Sequence, residues 1–185
     1  MFSHAFLSIV SLALLSAALP APESLPASVR SPQICYDNEN TALLCYNPPD
    51  GEPQNVAVAD VTYIASYLRA YGAQTKAGRL YNMAAADTPD CAEWTIYSHG
   101  SALAIAKHIN SAVNSSVLFA DIATTIDGGP NATPAQKAGA LIGCGTSGGS
   151  EGVQVNSSNP AYTASTYPAG YTPAGILIKI VASGA

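Results

Sequence analysis

The sequence predicts an α+β domain: an antiparallel sheet with two or three helices packed on one face, the whole disulfide-bridged. Three observations point there. Apolar residues recur at helical spacing through Val61, Ile64, Ala65 and Leu68. The stretch from Cys91 to Tyr97 alternates between faces instead, and Ile176 to Val181 is a nearly unbroken apolar and β-branched run. Four cysteines, Cys35, Cys45, Cys91 and Cys144, follow an apolar N-terminal segment, the pattern of an exported and bridged chain.

Taken in order, Phe6 to Leu19 is a short apolar run with a small-residue site at Ser16-Ala17-Ala18, so residues 1–18 read as a secretory signal cleaved after Ala18. Residues 19–34, with four prolines and little periodicity, read as a flexible arm or pro-segment, and 35–185 as a single secreted α+β domain. Tyr36, Leu43, Leu44 and Tyr46 suggest a strand pair about an Asp37 to Asn40 turn. A first helix is expected from Val56 to Tyr71, stopped by Gly72. Strands are expected over Gly78 to Met83 and Cys91 to Tyr97, the second placing Ala92, Trp94 and Ile96 on one face and Glu93, Thr95 and Tyr97 on the other, with Trp94 buried. Ala102, Ile105, Ile109, Ala112 and Val113 suggest a second helix from Ser101 to about Ser115. A third, capped by Ser116, carries Phe119, Ile122, Ala123 and Ile126 and ends at Gly128-Gly129. Gly145 to Gly152 reads as a flexible loop, Val153 to Val155 as a strand, and Ile176 to Val181 as a closing strand with Lys179 blunting an edge or face.

The chain of 185 residues is 48% hydrophobic, with seven basic and twelve acidic side chains and a net charge of -5. That composition excludes disorder and rod-like folds. Lys and Arg are scattered singly, which leaves no footprint for nucleic acid or anionic lipid, and no segment after the leader supports stable membrane insertion. The cysteines allow three pairings. Local closure of Cys35 with Cys45 and Cys91 with Cys144 is the preferred one, and the crossed choice joins Cys35 to Cys144 and Cys45 to Cys91. Neither a Cys-x-x-Cys nor a close His pair offers a tetrahedral cage, so no metal or cofactor is expected. Asn114, Asn131 and Asn156 begin glycosylation sequons.

No catalytic residue is assigned. His99 and His108 are the histidines of the domain, and turn and helix-surface positions account for them. Glu93 and Asp121 form one imaginable carboxylate pair for glycoside hydrolysis, although a helix-start position also explains Asp121. The Gly145 to Ser150 segment lacks both the lysine of a phosphate loop and the pattern of a nucleophile elbow. Tyr162, Tyr167 and Tyr171, grouped with Pro160, Pro168 and Pro173, are the interface candidates; such rings either contact a partner or cover the edge of a small core.

The order Val58-Ala59-Asp60 before a helix, Cys91 to Ile96 on a strand, Phe119 to Ile126 on a helix and Gly143-Cys144 before the last strands resembles the fungal secreted effectors related to the leaf-mould extracellular protein, a group linked to killer toxin-like folds. The resemblance spans about Cys35 to Val181. It implies a small secreted α+β protein associated with virulence, necrosis induction or antagonism of other microbes, without a common catalytic site. The family often carries Asp-Cys where this chain has Asp60-Val61, so its disulfide pattern does not transfer. The expected function is that of an effector or toxin-like protein binding a host or microbial surface protein or glycan. A secreted cell-wall polysaccharide hydrolase is the alternative, and a structural cell-wall protein the third reading.

Overall fold

The computed structural model describes residues 39–88 and 92–184. The expected leader over residues 1–18, the expected arm over 19–34, and Cys35, Tyr36 and Cys91 lie outside the described residues. Among the described residues, eight strands and three α-helices follow one another as β1 (Leu44–Cys45), α1 (Val58–Gly72), β2 (Leu80–Met83), β3 (Glu93–His99), β4 (Ala102–His108), β5 (Asn114–Leu118), α2 (Phe119–Asp127), α3 (Pro134–Ala138), β6 (Gly149–Gly152), β7 (Tyr171–Thr172) and β8 (Ile176–Ala182). The fold is the expected α+β domain. Its main sheet is antiparallel throughout, in the order β1-β6-β8-β4-β3. A second, smaller sheet, β2-β5-β7, is mixed, because β5 runs parallel to β7.

One face of the main sheet is built for helices. In β4 the alternate residues Ala102, Ala104 and Ala106 are fully buried, and opposite them in β8 stand Ile180 and Ile178. Small residues beside branched ones leave room for α1 and α2 to pack close, and Val61, Ile64, Ala65 and Leu68 of α1 and Ile122, Ala123 and Ile126 of α2 fill that space. Arg69 of α1 clamps Asp127 of α2 through two hydrogen bonds of 2.7 and 3.0 Å. The two helices are thereby fixed to one another as well as to the sheet.

Several expectations need correction. Residues 101–115 form the hairpin partner β4 and the start of β5, where the sequence suggested a helix. Ala-Leu-Ala-Ile-Ala has helix propensity, but it also alternates small with large, and tertiary pairing on both sides of β4 decides the matter. Ser116 lies in β5 and donates to Asn82 Oδ1, so it does not cap α2. The strand expected at 153–155 is displaced to β6. Far from closing an edge, β8 is central, and Lys179 pairs with Glu93 at 2.5 Å on the face away from the helices. Trp94 is half-buried, packed against the core rather than enclosed by it.

The preferred disulfide pairing is also overturned. Cys45 bonds to Cys144, 99 residues apart in sequence, which excludes both the local and the crossed choice. Cys45 in β1 lies opposite Gly149 of β6, and Cys144 belongs to a 3-10 segment, Leu141–Ser147, just before that strand. Sheet pairing brings the two sulfurs together, whereas sequence distance favours neighbours. In the chain-entropy model a loop of this length contributes about 4.7 kcal/mol. Among the described residues, no helix is long and apolar enough to cross a membrane.

Candidate functional site

Helix α1 has a second pattern beside its buried stripe. Tyr63, Tyr67 and Tyr71 recur every four residues and so share a face, about 6 Å apart along the axis. Across from them runs β3, whose register against β4 shifts between Thr95 and Tyr97. This bulge moves Tyr97 and His99 onto the same side as Trp94, overturning the alternation the sequence suggested. The rings then meet in pairs. Tyr63 stacks on His99 with centroids 3.7 Å apart and Tyr67 on Tyr97 at 3.9 Å, each pair within 15° of parallel. Tyr71 meets Phe119 edge-on, Phe119 meets Tyr81 in the same way, and the Arg79 guanidinium sits 4.5 Å over the Tyr71 ring.

The result is an aromatic row along α1 that solvent reaches. Tyr63 is 46% and Tyr67 39% exposed, which is high for rings that also stack. Beside them Tyr67, Leu68, Tyr71, Ile96, Tyr97 and Phe119 surround a shallow cavity of about 250 Å³. One end of the row is polar. Asp60 Oδ2 accepts from the backbone N–H and the hydroxyl of Ser101, which hold its carboxyl below the usual carboxylate range, and His99 Nε2 lies 3.9 Å from Oδ1. At the other end Tyr81 is pushed up to about 12 by burial, and its hydroxyl has no hydrogen-bond partner. Burial also raises Tyr97, with Tyr63 and Tyr67 opposing its ionisation. The tyrosines of the row offer flat apolar faces edged by hydroxyls.

No family model, curated protein or solved structure matches the chain. What the site does has to be read from its geometry.

Apart from His99, the residues singled out in the sequence lie elsewhere and are mostly engaged. Tyr162 donates its hydroxyl hydrogen to Asp121 Oδ2 at 2.6 Å and accepts from the Leu118 N–H at 2.9 Å. Tyr167 donates to the Ser116 carbonyl at 2.8 Å, and its ring meets that of Tyr162 edge-on. Tyr171 is half-buried in β7 beside Asn114 of β5. The structure therefore brings Tyr162 and Tyr167 together, but with their hydroxyls turned to the protein. Glu93 and Asp121 are not brought together: Glu93 faces the side of the sheet that carries Lys179, while Asp121 belongs to α2 on the other side.

The two histidines part company as well. His99 joins the aromatic row. His108 is wholly buried, with Nδ1 2.7 Å from Thr88 Oγ1 and Nε2 3.0 Å from Ser115 Oγ. Thr88 spends its own hydrogen on the Ala84 carbonyl, so it accepts from Nδ1–H, and Ser115 donates to Nε2. All three side chains are sealed from solvent, which makes this chain of bonds part of the core. Ser147 donates to Asn47 Oδ1, and the backbone around it accepts from Gln54 and Val56, so the glycine-rich segment is stitched to residues 47–56. Among the described residues no group of three His, Cys, Asp or Glu is gathered to hold a metal. Of the sequons, Asn131 and Asn156 are exposed, whereas Asn114 is half-buried and accepts from the Ala85 N–H.

The row itself was legible and overlooked. Tyr63, Tyr67 and Tyr71 stand at four-residue spacing in a segment already read as a helix. The contribution of Tyr97 and His99 depends on a bulge, which no local pattern announces.

Proposed function

We propose that the protein is a secreted effector or toxin-like protein that recognises a polysaccharide on the surface of a host or a competing microbe, using the aromatic row of α1 and β3. The observation that carries this reading is the exposure of Tyr63 and Tyr67 while each is held flat against a ring of β3. Rings stacked in pairs are rigid before binding, so little side-chain entropy is lost on contact. Their four-residue spacing approximates the repeat of an extended pyranose chain. The Asp60 carboxylate and the ring hydroxyls along the row can meet sugar hydroxyls at its margin. Binding of this kind needs no covalent step, in keeping with the effector resemblance and with the separation of Glu93 from Asp121.

Retention of the purified protein on insoluble chitin and β-1,3-glucan tests this reading. The double variant Tyr63→Ala, Tyr67→Ala is expected to lose about tenfold in affinity, since two ring contacts at roughly 0.5 to 1.5 kcal/mol each bracket that factor. Tyr171→Ala, remote in sequence and outside the row, is expected to bind as the parent does. Unchanged retention of the double variant, or loss confined to Tyr171→Ala, would discard the row in favour of the 160–173 segment. Release of reducing ends by the parent protein would discard the non-catalytic reading.

A further inference from the structure

The aromatic row ends in a cation. Arg79 is fixed where the end of α1 meets the start of α2, since its N–H donates to the Gly72 carbonyl and its own carbonyl accepts from the Phe119 N–H, both at 3.0 Å. Its guanidinium lies 4.5 Å over the Tyr71 ring, and Nη1 donates to the Tyr71 hydroxyl at 3.3 Å. Among the described residues that long bond is the only hydrogen bond the guanidinium makes. Nε is buried without a partner, whereas Nη2 also lacks one and is open to solvent.

The other buried or half-buried cations of the described residues are paired: Arg69 has Asp127, Lys107 has Glu39 and Lys179 has Glu93, while Lys76 and Lys137 are exposed. Arg79 is half-buried yet forms no ion pair among the described residues. The acids of α2 are engaged elsewhere, Asp121 by Tyr162 and Asn156 and Asp127 by Arg69. Asp60 stands at the far end of the row, about 16 Å along α1 from Tyr71, which is about twice the screening length at physiological salt. A guanidinium that has lost part of its water for one weak bond is short of an acceptor, and its best acceptor is a carboxylate. We propose that, among the polysaccharides the row can stack, it prefers one built of uronic acids, a sugar ring lying on the Tyr67 and Tyr71 end and its carboxylate accepting from Arg79 Nη2. The cavity of about 250 Å³ lined by Tyr67, Tyr71, Tyr97 and Phe119 gives the apolar face of that sugar room. This preference rests on the polysaccharide reading and adds a charge to the ligand.

Calorimetric titration of the full-length protein at neutral pH with a galacturonic acid hexamer, and with the same hexamer methyl-esterified, tests it. The ester keeps the rings and removes the charges. The acid is expected to bind at least tenfold more tightly than the ester. Arg79→Gln is expected to weaken the acid at least fivefold and to leave the ester within twofold, so that the two ligands become nearly alike. Lys137→Gln, which removes an exposed charge outside the row, is expected to bind both as the parent does. The comparison of acid with ester needs no variant, and so covers the case in which Arg79→Gln is unstable. Equal binding of acid and ester, an unchanged preference in Arg79→Gln, or an equal loss in Lys137→Gln would each overturn the acidic ligand and leave the polysaccharide reading in place. Binding of neither hexamer beside retention on chitin would do the same, and failure of both assays would overturn the two readings together.

Discussion

Asp121 shows how a single carboxylate can organise a loop. Its Oδ2 accepts from the Tyr162 hydroxyl at 2.6 Å and from the Asn156 N–H at 3.1 Å, so the start of α2 holds the chain at two points about the 156–162 turn. Tyr162 links this pair onward, because its oxygen also takes the Leu118 N–H just before the helix. Removing the hydroxyl therefore leaves two groups short, a buried acceptor and a backbone donor. Tyr162→Phe is expected to cost about 1–3 kcal/mol, the usual penalty for stranding buried polar groups, read as a lower urea midpoint. Polysaccharide retention should survive at a temperature where the variant is folded, since the hydroxyl of Tyr162 bonds Asp121 and the Leu118 N–H and not a side chain of the aromatic row. A comparable loss of binding without loss of stability would instead return Tyr162 to the role of contact residue that its loop-rich surroundings suggested.

Individual elements were legible where the local pattern and the tertiary environment agreed. Helix α1 is an example: each of Val61, Ile64, Ala65 and Leu68 is buried as its spacing implies. The end of α2 at Gly128, with φ of 81°, is another. Strand β4 failed because alanine is a good helix former and its alternation with Leu103 and Ile105 carries meaning only when partners lie on both sides. Helix α3 was missed although Thr133 and Gln136 form a reciprocal cap and Pro134 opens the first turn, a signal present in the sequence. The turn between β3 and β4 ties these local events to the site. Ser101 accepts from the Ala57 N–H at the start of α1 while donating to Asp60, so the hairpin and the helix hold one another. Gly100, with φ of 50°, makes this approach possible: a Cβ there would stand 2.4 Å from Asp60 Oδ2. Gly100→Ala is expected to destabilise by about 1–3 kcal/mol through positive φ and the displaced carboxylate. It should also weaken polysaccharide retention, because His99 precedes the strained residue and supports Tyr63. Thermal unfolding and the retention assay check both halves.

For the molecule as a whole, the buried acids set how stability responds to pH. Burial raises Asp121, against the opposing hydrogen bonds from Tyr162 and Asn156, and burial likewise raises Glu151, against that from Gln154. A group whose folded pKa lies above its unfolded value binds its proton more tightly when folded. Its stabilisation is complete below the unfolded pKa, about 4 for both residues, and is lost as pH rises through the folded value. Asp60 acts in the opposite sense, since the N–H and hydroxyl of Ser101 lower it, and its contribution is present above about 4 and disappears as pH falls through the folded value. Two groups therefore favour mild acid, and one loses its contribution in strong acid. The net charge of -5 adds to the first trend, because protonation relieves self-repulsion. The melting temperature is expected to rise as pH is lowered from neutrality towards about 4.5 and to fall below about 3.5. In the double variant Asp121→Asn, Glu151→Gln the rising limb should flatten while the fall at low pH persists, because Asp60 is untouched. A melting temperature that declines steadily from neutral pH in the parent protein would show that the lowered carboxylates outweigh the two buried ones.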